Sequence, residues 1–269
     1  MTGEVGATSV SGVREPFLVV IHEDDAGLGR LAPYLPGSHL CRPYRGDRLP
    51  TDIDGYAGLL VLGGSMGAWD DEVAPWLPAT RRLLAEGVRR ELPTLGICLG
   101  AQLLAAATGG RVDRDEAGLE VGLVPVELLP AAAADTLFGA LVEPGAWTAR
   151  SRTPRIDVAQ WHQDAVVDLP PDAVLLARGN RYPHQAFRLG PRAWGLQYHP
   201  EVTLADFSAW MQGGHGAVRD LGLDPDVLLA GFDAADTELD DIAERHACAF
   251  AGLLAPGERR RLRGPARPG

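Results

Sequence analysis

One cysteine lies where a short apolar strand is followed directly by a helix-forming segment, within residues 92–108 (LPTLGICLGAQLLAAAT). The first residues of this stretch predict a buried strand, and its second half is rich in strong helix formers. Cys98 stands between the two, flanked by Gly96 and Gly100 in the order Gly-x-Cys-x-Gly. This order is the thiol counterpart of the Gly-x-Ser-x-Gly nucleophile elbow, where small neighbours allow a strained backbone. The pattern predicts a reactive cysteine, because the start of the following helix favours a thiolate.

A histidine and a glutamate two residues apart are candidates for activating this cysteine. They occur in residues 194–201 (WGLQYHPE), where a predicted strand ends in His199, Pro200 and Glu201. Alternate residues share one face of an extended chain, and Pro200 biases His199 towards the extended region. Glu201 can then accept a hydrogen bond from one imidazole nitrogen while the other nitrogen faces Cys98.

Composition excludes several classes of function. All 25 basic residues are arginine, which excludes a Gly-Lys-Ser/Thr phosphate-binding loop and a Schiff-base lysine. The net charge of −11 argues against nucleic-acid binding, which needs arrayed cations. No apolar run reaches the length of a membrane span, and residues 1–16 lack the pattern of a signal peptide. We therefore expect a cytoplasmic protein without a nucleic-acid or membrane partner.

The three cysteines show no disulfide-framework spacing and fit a reducing cytoplasm. Cys41 and Cys248 lack the elbow setting and fit the usual behaviour of a free cysteine, which is buried and inert.

Together the motifs resemble the triad-type (class I) glutamine amidotransferases over residues 17 to about 212. The elbow reads GICLGAQLLA, and the downstream motif reads GLQYHPE. Four further segments follow the expected order: LVLGGSMGAWDD (60–71), LEVGLVPVEL (119–128), WHQD (161–164) and HQAFRLG (184–190). The closest similarity is to stand-alone proteins that resemble the amidotransferase domain of GMP synthase. The resemblance implies a small-molecule amide substrate, no cofactor and no metal.

The resemblance also implies roles for individual residues. Cys98 is expected to be the nucleophile, His199 the base and Glu201 the acid that orients this base. The backbone N–H groups of Gly64 and Leu99 are expected to form an oxyanion hole. The residues implied in substrate binding are Gln102, Gly63, His162 and Asp164.

Two of these assignments have plainer alternatives. The pair Gly63-Gly64 ends an apolar run and is also typical of a simple tight turn. His162 is either a pocket residue, a core residue with its polar atoms satisfied, or a less suitable competitor of His199 for the role of base.

The order of predicted elements favours an α/β fold. Strands at residues 17–22, 59–62 and 121–129, with the elbow strand and a helix at 76–90, predict a mostly parallel sheet with helices on both faces. Short runs at 156–161, 173–177, 185–189 and 193–198 resemble the antiparallel edge and return strand of the family. The expected fold is flavodoxin-like. Thr203 is expected to open a further helix, with Asp206 completing a near capping box.

We expect four segments along the chain. They are a flexible N-terminus (1–16), an amidotransferase domain (17–212), a C-terminal helical extension (213–257) and a disordered Arg-rich tail (258–269). The apolar positions of residues 224–254 predict one or two helices that pack on their own domain, and docking of a partner is the alternative.

Three functions stay open. The first is a glutaminase that forms glutamate and ammonia for an acceptor or a partner synthetase, since 269 residues leave no room for a synthetase domain. The second is a self-sufficient γ-glutamyl amide or peptide hydrolase. The third is a catalytically silent regulatory subunit, against which the intact triad argues. A cysteine peptidase or redox protein is disfavoured, because Glu201 follows the candidate base by two residues and no Cys-x-x-Cys motif occurs.

Overall fold

A computed structural model of the chain describes residues 15–114, 117–142 and 153–253. Residues 1–14 of the expected flexible N-terminus and the whole expected Arg-rich tail, 258–269, lie outside the described residues.

The described chain contains two β-sheets. The nine strands of the large sheet are β1 (Phe17–Val20), β2 (His39–Cys41), β3 (Gly58–Val61), β4 (Thr94–Ile97), β6 (Glu120–Leu128), β7 (Arg155–His162), β9 (Val174–Arg178), β10 (Ala186–Leu189) and β11 (Ala193–Leu196). The small sheet pairs β5 (Arg111–Arg114) with β8 (Asp164–Asp168).

Five α-helices accompany the sheets. They are α1 (Leu77–Arg89), α2 (Leu99–Ala107), α3 (Leu204–Asp220), α4 (Pro225–Ala234) and α5 (Asp236–Ala251). Short 3-10 helices occupy Gly29–Tyr34, Pro43–Arg45, Pro130–Ala134 and Gly139–Leu141.

The large sheet has a parallel half and an antiparallel half, in the order β2-β1-β3-β4-β11-β10-β9-β6-β7. Strands β2, β1, β3, β4 and β11 pair in parallel, and every pairing from β11–β10 outward is antiparallel. All residues of β1, β3, β4 and β11 are buried, because both faces of this half are covered. The predicted α/β fold with its antiparallel edge is confirmed.

Helices cover both faces of the sheet. Leu83 of α1 and Leu103 of α2 belong to one apolar cluster, whereas Ala247 and Phe250 of α5 belong to the cluster on the other side. The Phe250 ring lies 5.3 Å from that of Phe17 in β1, so the last described helix packs on the first strand.

The C-terminal helices continue the fold without a break at residue 213. Helix α3 runs through this position, and Thr203 and Asp206 form the full capping box at its start. Of the expected helical segment 224–254, the described residues form two helices, α4 and α5. The ring of Phe232 in α4 stacks on that of Phe207 in α3 at 4.5 Å. These contacts place the extension against its own domain.

Strands β2, β5 and β8 were absent from the sequence-based expectation. They are short, and β5 buries only one of its four residues, so neither length nor apolar alternation marks it. Within the described ranges no helix has the length and apolar character to cross a membrane. Nor does any cluster of three or more His, Cys, Asp or Glu side chains among those residues have the arrangement of a metal site.

Candidate functional site

Cys98 occupies the sharp turn between β4 and α2, at the carboxyl edge of the parallel half of the sheet. Its backbone has φ +50° and ψ −107°, a conformation that side-chain-bearing residues rarely adopt. Such backbone strain costs about 1–3 kcal/mol and persists only where surrounding structure enforces it. Here the Cys98 N–H donates to the Leu196 carbonyl over 2.7 Å, and the Gln102 N–H donates to the Cys98 carbonyl over 3.0 Å.

The two glycines of the elbow are required by close backbone contacts. A Cβ atom on Gly96 would lie 2.4 Å from the Gly100 carbonyl oxygen, and one on Gly100 would lie 2.0 Å from the carbonyl oxygen of Val61 in β3. Helix α2 can therefore press against β3 and β4 only without these side chains. The close approach brings the first turn of α2, with its partial positive charge, next to Cys98.

His199 and Glu201 follow β11, which pairs in parallel with β4. The two side chains form a hydrogen bond of 2.7 Å between the His199 Nδ1 and Glu201 Oε1 atoms, and both are buried. The Nε2 atom of His199 is also buried, yet it has no hydrogen-bond partner among the described residues. Glu201 thus fixes the Nδ1 atom of the imidazole, and the Nε2 atom is available for a reacting group.

The pKa of the His199 imidazole is set by burial, which acts in one direction, and by two neighbouring charges, which act in the other. Burial alone lowers the pKa of the His199 imidazole, but the neighbouring Glu201 and Cys98 charges outweigh it and raise that pKa above its ordinary value. The arrangement therefore favours an imidazolium opposite the sulfur, which is the state that can later give up a proton.

Cys98 and His199 open into one cavity of about 530 Å³. Of the residues expected to bind substrate, Gln102, His162 and Asp164 line it, as does Gly64. Gly63 does not line it. A Cβ on Gly63 would lie 3.0 Å from His199 Cε1 and 3.6 Å from Cys98 Cβ, so this glycine lets the two side chains approach.

The expected oxyanion donors lie on both sides of the cysteine. Leu99 begins α2, and Gly64 follows β3 in the loop facing it. Neither N–H donates to another described residue in a backbone hydrogen bond. A Cβ on Gly64 would meet Met66, His22 and Leu99 within about 3 Å, so the loop holds its backbone tightly against the elbow.

His162 is engaged inside the protein through both ring nitrogens. Its Nε2 atom lies 3.1 Å from Glu120 Oε2, and its Nδ1 atom lies 3.1 Å from the Asp164 carbonyl oxygen. Gln185 donates a further hydrogen bond of 2.9 Å to the same Glu120 oxygen. His162 contributes a wall of the cavity, and its partners leave it without a free nitrogen for proton transfer.

Asp164 and Gln102 are tied to the cavity wall as well. Asp164 Oδ1 accepts from Arg114 Nε over 2.8 Å. The Gln102 Nε2 donates to the Asp164 carbonyl over 2.8 Å and to Gln197 Oε1 over 3.3 Å. Gln197, which sequence reasoning did not single out, also donates through Nε2 to Cys98 Sγ over 3.6 Å. Its position two residues before His199 was the signal available in the sequence.

A second group missed from the sequence holds the histidine segment from both ends. Tyr198 Oη forms a 2.8 Å hydrogen bond with His246 Nε2 of α5. On the other side, Arg30 is bonded to the backbone of Glu201 and Val202 and to acidic side chains of α5. Helix α5 therefore supports the segment that carries His199 and Glu201.

The other two cysteines differ from each other. Cys41 is buried at the end of β2, as expected. Cys248 is exposed on α5, so its expected burial is wrong. The reason is the helical spacing, which directs the neighbouring Ala247 and Phe250 to the core and Cys248 to solvent.

A family model described as "Glutamine amidotransferase class-I" matches residues 47–212. This range includes the elbow and the His-Pro-Glu segment, and it confirms the resemblance inferred from the motifs.

Two curated relatives illustrate the range of the family. Over 152 residues the chain is 30% identical to "Gamma-glutamyl peptidase 5" of Arabidopsis thaliana. The matched region covers 56% of each chain. Over 167 residues it is 32% identical to "GMP synthase [glutamine-hydrolyzing]" of Xanthomonas oryzae pv. oryzae, covering 61% of this chain and 29% of that one. The chain thus spans about half of the peptidase and less than a third of the synthase.

Solved structures agree on the fold. A glutamine amido transferase from Methylobacillus flagellatus superposes with a TM-score of 0.77 at 26% identity, covering 90% of this chain and 96% of that one. A glutamine amidotransferase from Thermotoga maritima gives a TM-score of 0.72 at 26% identity, covering 88% and 98%.

Proposed function

Because the chain belongs to the class-I glutamine amidotransferase family, we propose that it hydrolyses the side-chain amide of glutamine, with Cys98 as nucleophile. The observation that carries this proposal is the buried, unpartnered Nε2 atom of His199 in the cavity it shares with Cys98. Glu201 holds the opposite ring nitrogen at 2.7 Å, which orients the imidazole as a triad requires.

The first half of the reaction forms a thioester. The Cys98 sulfur attacks the amide carbon, and the carbonyl oxygen becomes an oxyanion near the N–H groups of Gly64 and Leu99. Backbone donors at this position are worth about 3–4 kcal/mol of barrier. The C–N bond then breaks, and the nitrogen leaves as ammonia after taking the proton from His199 Nε2.

The second half returns the free enzyme. His199, now neutral, takes a proton from a water molecule, whose oxygen attacks the thioester carbon. The C–S bond breaks, glutamate is released and the thiolate–imidazolium pair is restored. Glu201 stabilises the imidazolium in both halves, and Gln197 supports the sulfur through its amide N–H.

The first candidate function is to supply ammonia to another protein, and we call this the partner form. In the partner form, the ammonia passes to an acceptor site on a separate synthetase chain. In that case the free protein hydrolyses glutamine slowly, because docking of the partner completes the pocket.

A second candidate is a self-sufficient γ-glutamyl amide hydrolase. The cavity of about 530 Å³ favours it, because this volume lies in the range of pockets for drug-sized ligands, and glutamine alone is smaller. The likeness to a plant γ-glutamyl peptidase points in the same direction.

Steady-state kinetics on purified protein separates the two forms. Ammonia or amine release is measured over glutamine and a panel of γ-glutamyl amides, without ATP and with or without cell extract. Fast turnover of a panel member by the protein alone supports the hydrolase, whereas slow glutamine turnover that extract accelerates supports the partner form. No turnover of any substrate under either condition would contradict the proposed function.

A further inference from the structure

Two carboxylates on the wall of the catalytic cavity have no cationic partner in the described part of the chain. Glu23 and Asp25 follow β1 and line the cavity. Glu23 Oε2 accepts a hydrogen bond of 2.7 Å from Ser65, and no described basic side chain reaches either carboxylate. The intervening Asp24 differs, because it pairs with Arg45 over 2.5 Å outside this cavity. Asp164, the third acid of the lining, is neutralised by Arg114. The cavity therefore keeps two uncompensated negative charges.

An aromatic wall connects these carboxylates to His199. The Trp210 ring of α3 packs against the His199 ring in a T-shaped arrangement, with centroids 4.8 Å apart and planes at 67°. Its Nε1 atom donates to the backbone carbonyl of Asp25 over 3.1 Å. The ring centroids of Trp161 and Trp210 are 6.2 Å apart, and both tryptophans line the cavity.

This wall lies next to His199, the residue that protonates the leaving group in the proposed reaction. The departing nitrogen must take its proton from His199 Nε2, which is buried and without a hydrogen-bond partner in a residue that lines the cavity. Because Trp210 contacts both His199 and Asp25, a substituent that follows this ring away from His199 reaches Asp25 and the neighbouring Glu23. Tryptophan faces and carboxylates are the groups that bind an ammonium ion.

We propose that the protein accepts γ-glutamyl amides whose amine carries a second, positively charged group, held by Glu23, Asp25 and Trp210. This inference rests on the proposed amide hydrolysis. The Cys98 sulfur displaces the amine, which leaves as R–NH₂ with the His199 proton. Water then cleaves the thioester to glutamate, as described above.

Three substrates of matched length test the charge preference. They are γ-glutamylputrescine, which ends in an ammonium group, γ-glutamyl-n-pentylamide, which ends in a methyl group, and γ-glutamyl-γ-aminobutyrate, which ends in a carboxylate. We expect kcat/KM for the cationic amide to exceed that of the neutral one by about tenfold, and the anionic amide to be the poorest.

Matched variants assign the preference to this wall. The double variant Glu23→Gln, Asp25→Asn should reduce the preference for the cationic amide over the neutral one to about twofold or less. The control Glu238→Gln removes an exposed charge on α5, outside the cavity, and should keep the full preference.

Each other outcome overturns the inference in a recognisable way. Equal kcat/KM for the cationic and neutral amides would overturn it while leaving the proposed amide hydrolysis intact. An equal loss on all three amides in the double variant would mean that the carboxylates bind the α-ammonium group of the glutamyl moiety instead. No turnover of glutamine or of any amide would remove the proposed function and this inference together.

Discussion

The backbone N–H of Arg30 donates to the carbonyl oxygen of Glu201 over 2.8 Å, so the acid of the candidate triad is held by a residue from the start of the chain. The Arg30 guanidinium is almost fully buried. It donates through Nε to the Val202 carbonyl over 2.8 Å and pairs with Asp236 over 2.6 Å and with Asp240. Arg30 therefore connects the segment that carries His199 and Glu201 to the start of helix α5.

This connection predicts that Arg30 positions Glu201. Arg30→Lys keeps the charge but loses the planar fork that contacts Val202 and α5 together. We expect kcat to fall by about three- to tenfold with little change in KM, because a small misplacement of the triad acts on the chemical step. Kinetics and the melting temperature are measured on the same preparation.

The matched control is Arg245→Lys, which alters a pair with Asp241 on the same helix and a hydrogen bond to the Ala140 carbonyl, both far from Glu201 in the chain. It should leave kcat unchanged. If Arg30→Lys retains the wild-type kcat, or loses activity only in proportion to unfolded protein, the positioning role is wrong.

A second prediction concerns the pH profile. Glu201 is one of the charges that raise the pKa of His199, and Glu201→Gln removes it. The imidazolium then loses its proton at lower pH, so the alkaline limb of kcat/KM should move to lower pH. The loss of kcat should be about 10²-fold or more, and smaller than in Cys98→Ala.

The profile of kcat/KM against pH is compared with that of Glu238→Gln, whose carboxylate is exposed on α5. An alkaline limb at the same pH in wild type and Glu201→Gln would show that His199 does not govern it.

A third prediction distinguishes the three cysteines by labelling. A diazo-ketone analogue of glutamine should modify Cys98, because only this sulfur lies in the cavity with His199. Burial raises the pKa of the Cys41 thiol, and reduced hydration and the Glu244 carboxylate raise the pKa of the Cys248 thiol, so both carry less thiolate. Peptide mass mapping identifies the adduct.

Iodoacetamide provides the control, because Cys248 is exposed and Cys41 is buried. Glutamine should protect Cys98, but not Cys248, from modification. An analogue adduct found mainly on Cys41 or Cys248 would be incompatible with the assigned nucleophile.

A fourth prediction compares two glycine-to-alanine changes. Gly100→Ala places a Cβ 2.0 Å from the Val61 carbonyl oxygen, which forces α2 away from β3. We expect it to lower the free energy of unfolding by about 2–4 kcal/mol. Gly231→Ala, in an open position on α4, should raise it by about 0.5–1 kcal/mol. Denaturant unfolding measures both, and equal stability of the two variants would argue against the close contact at the elbow.

The local part of the site could be predicted from the sequence because neighbouring residues determine it. Gly96, Cys98 and Gly100 specify a tight strand–helix turn, and the spacing of His199 and Glu201 puts both on one face of an extended segment. The inner strands β1 and β3 of the parallel half could be predicted as well, because they are continuous buried apolar runs, whereas the edge strand β2 is short and only partly buried and could not.

The supporting contacts could not be predicted because they join distant positions. Arg30 and Asp236 are 206 residues apart, and Tyr198 and His246 are 48 apart. Nothing in the spacing of either pair marks them as neighbours. The same holds for Glu23, because only the fold brings it to the cavity wall without a described basic partner.

The most direct test of the account is to trap the covalent intermediate. Wild-type protein is mixed with a substrate that it turns over, quenched in acid within the first turnovers and analysed by intact-protein and peptide mass spectrometry. We predict a mass increase of one glutamyl group on the peptide that contains Cys98. Cys98→Ala should show no such mass increase and should release ammonia or amine at least about 10⁴-fold more slowly. Wild-type-like release by Cys98→Ala, or a glutamyl group on a different residue, would contradict the central claim that Cys98 is the nucleophile.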